Sequence, residues 1–169
     1  MHASRKLVIR DFAQRFTTDE ILIGTGTVLD PEIARVATLS GAQFVVSPTL
    51  IPETARLCNR YRVPYIPASR LKEVIEGIEC GADNVKVFPP ESLGPAFVMA
   101  VRGPLPKASL MPTGGVSLEN VGEWTQAGCV AVGGVDESLT AGAKTGDLKS
   151  IIEMSRQFVP GSAARDLSG

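Results

Sequence analysis

Histidine is nearly missing from this sequence: His2 is the only one. A terminal position makes it a poor general base, so proton transfer falls to a carboxylate, a lysine or water. Cysteine is scarce as well. Cys58, Cys80 and Cys129 stand far apart and in odd number, without the close pairs of a zinc site or a redox motif. They read as reduced, mostly buried thiols of a cytoplasmic protein. Neither sign of charge dominates. Seventeen basic and eighteen acidic residues leave a net charge of -1, so no long-range field draws in nucleic acid or an anionic membrane, and an anionic ligand must be held locally. Long apolar runs are also lacking. The first fifteen residues carry Arg5, Lys6, Arg10, Asp11 and Arg15, which leaves no signal peptide, and no later stretch is long enough for a membrane span.

What is present is a repeating unit. Short β-branched runs alternate with helix-like stretches that open on a polar residue or proline and close on glycine. The runs are ILIGTGTV (21–28), QFVVSP (43–48), VPYIP (63–67), NVKVFP (84–89), SLMPTGG (109–115) and CVAVGG (129–134). They are apolar at successive positions, as in a parallel sheet covered by helices. Asp30 is placed to cap a helix with Pro31 in its first turn and Gly41 past its end. Leu71, Val74, Ile75 and Ile78 form an i, i+3, i+4, i+7 stripe that ends at Gly81. Ser117 and Gly128 bracket the next helix.

The strand centres, from Ile23 to Ala131, follow one another at even steps of 20 to 24 residues, which favours a (β/α)8 TIM barrel over an open doubly wound sheet. Such a barrel needs eight strands, and six are visible. Residues 5–16 read as a helix that follows a strand outside this sequence. The last two runs end in Thr113-Gly114-Gly115 and Gly133-Gly134, and glycine pairs let backbone amides approach a phosphate, commonly after strands seven and eight. The expectation is therefore a barrel truncated to strands three to eight. It occupies residues 1–159 as a single incomplete domain, with 160–169 a disordered tail.

Lys86 carries the sharpest chemical signal. It sits inside VKVF on a strand expected to be buried on both faces, where an unpaired ammonium lowers its pKa and approaches the neutral amine that carbinolamine formation requires. The bland alternative is a structural lysine reaching a carboxylate or extending to solvent. Thr27, ending GTGTV, could contact a keto acid or serve only turn chemistry. Thr113 with Gly114 and Gly115 places a hydroxyl beside bare amides, an arrangement suited to an anion.

Taken together, IGTGTVLDP (23–31), GAQFVVSP (41–48), VPYIP (63–67), VKVFPPESLGP (85–95), PTGGV (112–116) and VAVGG (130–134) resemble the 2-keto-3-deoxy-6-phosphogluconate and 4-hydroxy-2-oxoglutarate aldolase family, in order and spacing from about residue 5 to about 158. The resemblance implies a class I aldolase without metal or other cofactor, usually a homotrimer. Such an enzyme splits a 2-keto-4-hydroxy acid, a keto acid or sugar-acid phosphate, into pyruvate and an aldehyde. It places the Schiff-base lysine on Lys86 and the aromatic residue beside it on Phe88. The pyruvyl pocket falls on Thr27 and Pro48, the carboxylate contact on the Thr113 hydroxyl, and the phosphate loops on Gly114, Gly115, Gly133 and Gly134.

Three departures stand beside this match. The family's catalytic glutamate and carboxylate-binding arginine belong to strand two, which is not among the six. Ala68-Ser69-Arg70-Leu71 replaces a glycine and a threonine-containing loop. Val135-Asp136-Glu137 follows Gly134 where a serine usually helps hold phosphate. The competing readings are a catalytically impaired fragment or descendant that at most binds a small anion, and another phosphate-binding barrel such as an epimerase or synthase. The latter has no need of the amine at Lys86.

Overall fold

The computed structural model describes residues 3–19, 21–69, 71–133 and 145–162. The chain divides into two compact units, Met1–Val85 and Lys86–Gly169.

The first unit alternates helix and strand from its start: α1 (Ala3–Arg15), β1 (Gly24–Thr25), α2 (Pro31–Leu39), β2 (Phe44–Ser47), α3 (Pro52–Tyr61), β3 (Tyr65–Ser69) and α4 (Leu71–Glu79). The three strands are parallel in chain order, with Thr25 opposite Val45, Val45 opposite Tyr65 and Ser47 opposite Pro67. The expected cap is present: Asp30 Oδ1 accepts from Ile33 N at 2.6 Å, and Pro31 supplies the first turn, where a missing N–H costs nothing. Val28, Ala34, Val45, Ala55, Cys58 and Tyr65 form the core beneath α2 and α3. Tyr65 buries its ring fully. Its hydroxyl accepts from Ile51 N at 3.1 Å and donates to Thr49 O at 3.4 Å, pinning the loop after β2. Burial pushes the Cys58 thiol up to about 11, an inert state.

The α4 stripe turns out differently from the expected one. Val74 is fully buried, but Ile75 and Ile78 are exposed at 45% and 42%. The reason is Gly77. A Cβ there would already touch Pro67 Cγ and Val85 Cγ2 at 3.7 Å, so the helix lies on the sheet through its Val74–Gly77 face.

In the second unit, β4 (Val85–Val87) crosses the boundary at Lys86 and is followed by α5 (Pro90–Arg102), β5 (Leu110–Pro112), α6 (Val121–Ala127) and α7 (Leu148–Ser162). Helix α5 breaks at Gly94, whose φ is 66°, because Pro95 has no N–H to give the preceding turn. Its second part buries Val98 and Val101 completely, and Leu110, Val121 and Trp124 of this unit are buried as well. Arg102 ties the ends of α5 and α6 together, donating from Nη1 to Gly128 O at 3.0 Å and from Nη2 to Pro106 O at 3.2 Å. The sixth expected strand is reduced to one parallel bridge, Thr113 with Gly133, beyond which 134–144 lie outside the described residues. Helix α7 continues through Ser162, so the first three residues of the expected tail are helical, and 163–169 lie outside the described residues. Among the described residues no helix is long and apolar enough to cross a membrane.

Candidate active site

Strand β4 places Lys86 by simple alternation. Val85 and Val87 are 1% and 0% exposed and point into packing, so Lys86 between them projects to the opposite face, where it is half-buried. Its ammonium stands over the Phe88 ring, Nζ 4.4 Å from the centroid. Burial holds the Lys86 pKa below the ordinary lysine value. It forms no ion pair with a described residue, so the structural alternative of a carboxylate partner finds no support among them. Phe88 itself is 46% exposed and forms one wall of the lysine's surroundings.

Thr113 follows β5, and its N–H donates to Val87 O at 3.3 Å, which sets it beside the residue after Lys86. The Thr113 hydroxyl is shut off from solvent and has no hydrogen-bond partner among the described residues. Such an orphan costs about 1–3 kcal/mol and calls for an explanation. Gly114 and Gly115 carry φ of 90° and 59°, a backbone that a side chain would strain, so both glycines are required by the turn itself. The Gly114 amide is not free for an anion: it donates to Gly133 O at 3.2 Å, while Gly133 N donates to Pro112 O at 2.7 Å. Of the phosphate residues expected from sequence, only Gly115 keeps an amide without a partner among the described residues. Gly134, with Val135, Asp136 and Glu137, lies outside the described residues, as does His2.

Sequence reasoning missed Asn120. Its Oδ1 accepts from Ser117 N at 2.9 Å and its Nδ2 donates to Gly115 O at 2.9 Å, so one side chain brackets the turn that carries Gly114 and Gly115. The signal in PTGGVSLEN was an Asx residue just before a helix, which predicts a cap and says nothing of reaching back five residues.

In the first unit, Thr27 and Pro48 stand at the carboxyl ends of β1 and β2, the end at which barrel enzymes do their chemistry, and both are exposed. Val28 N donates to Val46 O at 3.1 Å and fixes the segment after β1 beside β2. Thr27 has a φ of 58°. For a β-branched residue this is a strained, left-handed backbone of the sort that persists at functional positions. Among the described residues no group of three or more His, Cys, Asp or Glu is placed to hold a metal ion.

Residues 7–154 match the family KDPG and KHG aldolase. Over 117 residues the chain is 34% identical to the 2-dehydro-3-deoxy-6-phosphogalactonate aldolase of Escherichia coli (strain K12), a match that takes in 68% of this chain. It spans only 57% of that relative's length. Among solved structures, "Native KDPGal structure" superposes with a TM-score of 0.82 at 28% identity, over 90% of this chain and 73% of that one. A second is a KDPG aldolase from Legionella pneumophila, with pyruvate captured at low pH as a covalent carbinolamine intermediate. It gives a TM-score of 0.77 at 25% identity, over 95% of this chain and 76% of that one. These neighbours are TIM-barrel aldolases, and the α/β order here is of their fold class.

Proposed function

This chain belongs to the KDPG and KHG aldolase family, and from that premise we propose that it is a class I aldolase acting on a 2-keto-4-hydroxy acid through a Schiff base on Lys86. The reading rests above all on one observation: a half-buried strand lysine, its pKa lowered by burial, with no ion-pair partner among the described residues. The neutral amine attacks the C2 carbonyl carbon, and the resulting carbinolamine loses water to give a protonated imine. That imine accepts the electron pair of the C3–C4 bond as the bond breaks. The 4-hydroxyl gives its proton to a base and the aldehyde departs. The enamine left behind takes a proton at C3, and water then releases pyruvate and restores the amine.

Thr113 supplies the hydroxyl that donates to the keto-acid carboxylate, whose oxygen takes the acceptor place no described residue fills. Phe88 keeps water from one side of Lys86, and resemblance gives Thr27 and Pro48 the role of pyruvyl-pocket residues. Gly115 offers its amide to the far end of the substrate, a role that resemblance gives to Gly134 as well. The same reading includes assembly as a homotrimer and a cytoplasmic location. Resemblance supports both, and the apolar side chains left exposed in each unit, such as Phe12 in the first and Met99 in the second, support the assembly.

Pyruvate release, followed by coupling to lactate dehydrogenase, tests the reading on 2-keto-3-deoxy-6-phosphogluconate and on 4-hydroxy-2-oxoglutarate. The expected result is turnover of at least one of them that disappears in Lys86→Met. Turnover that survives Lys86→Met would sink the proposal.

A further inference from the structure

Gly133 needs an explanation that neither its backbone nor its amide supplies. Its φ is not in the left-handed region, so no turn demands glycine there. Its N–H is engaged by Pro112 O and its carbonyl by Gly114 N, so the amide is not available to a phosphate. The remaining feature is what lies against it. A Cβ on Gly133 would stand 2.8 Å from Thr113 Cγ2, 2.9 Å from Thr113 Oγ1 and 3.1 Å from Thr113 Cβ.

Two of the three staggered positions on Thr113 Cβ are therefore crowded by residue 133. Threonine fills two of the three in any χ1 rotamer. At least one branch atom always faces residue 133, and rotation cannot remove the clash that a methyl would create. Nor can the backbone yield freely, because the two hydrogen bonds of Gly133 hold it to both sides of Thr113 in the chain.

We propose that Gly133 is a positioning residue: by presenting no side chain it lets Thr113 hold its hydroxyl where the keto-acid carboxylate binds, so that residue 133 sets the affinity for the carboxylate end of the substrate. This rests on the reading of Thr113 given above, and it differs from a phosphate role in acting at the opposite end of the ligand.

The test is a double-mutant cycle on the 169-residue chain, with pyruvate titrated against borohydride trapping on Lys86. Gly133→Ala raises the half-saturating pyruvate concentration about tenfold or more, the size of one hydrogen bond to a charged group. The trapping rate at saturation stays within about twofold, since Lys86 is untouched. In a Thr113→Ala background, which lacks both branch atoms, the same change adds less than about twofold. Equal effects in the two backgrounds, or none in the parent, overturn the proposal. Melting temperatures give a second cycle that needs no pyruvate. There the loss caused by Gly133→Ala shrinks once Thr113 is alanine, and an equal loss, or a double variant that does not fold, overturns the proposal. A parent chain that takes no label but gives non-additive melting temperatures breaks the Schiff-base reading and leaves the positioning of Thr113 by Gly133 standing.

Discussion

Lys86 Nζ lies 4.4 Å from the centre of the Phe88 ring, which sets two effects against each other at one amine. The face of the ring favours the ammonium, and burial favours the neutral form and lowers the pKa. Labelling of Lys86 by a carbonyl reagent requires the neutral amine, so its rate rises with pH through a midpoint below the ordinary lysine value of about 10.4. Phe88→Leu keeps apolar cover but removes the ring face, worth about 0.5–1 kcal/mol to an exposed cation. The midpoint should move further down. An upward move would mean that Phe88 acts by excluding water alone.

The same shift has a consequence for stability. A lysine whose folded pKa is depressed binds fewer protons in the folded state, so it destabilises the fold wherever the unfolded chain is charged. That cost is absent above the unfolded pKa, grows as the pH falls toward the folded pKa, and is complete below it. Lys86→Met, of similar length and without charge, should therefore melt higher than the parent at neutral pH, with the gain shrinking as the pH rises toward about 10.4. Scanning calorimetry across pH decides. A lower melting temperature at every pH would place Lys86 in the supporting structure.

Thr27 offers a second exchange of stability for function. A β-branched residue at a φ of 58° costs about 1–2 kcal/mol, whereas glycine there costs about 0.5–1 kcal/mol in chain entropy. Thr27→Gly should leave the protein equally stable or up to about 1 kcal/mol more stable in urea titration, and it should weaken pyruvate trapping. Destabilisation beyond that range would show that the hydroxyl is held for the fold.

Asn120 is expected to matter through the glycine turn. Asn120→Ala removes the bonds to Ser117 N and Gly115 O and should cost about 1–3 kcal/mol of stability. Asn120→Asp keeps the acceptor for Ser117 but turns a carboxylate oxygen toward the Gly115 carbonyl, so it should not restore the parent. Full recovery in the aspartate variant would leave the Gly115 bond without importance.

These residues also mark where sequence was readable. Asp30 with Pro31 announced its helix because a cap and its N–H partner are three residues apart, and Lys86 stood out because charge is rare within a β-branched run. Asn120, Gly77 and Gly133 were opaque for a common reason: each acts on a neighbour that only folding brings close. The GTGTV run promised a strand over 21–28, but the left-handed φ at Thr27 ends regular pairing, and the ladder keeps only Gly24 and Thr25. A glycine pair such as Gly133-Gly134 looks the same in sequence whether it opens an amide or clears room for a side chain, and the closeness of Thr113 to Gly133 comes only with the fold.

The most direct test of the central claim is peptide mapping of the 169-residue chain after incubation with pyruvate and borohydride. One reduced adduct is expected, on Lys86, and it should be absent from Lys86→Met. A chain that takes no label, or a label that persists in Lys86→Met, would contradict the account.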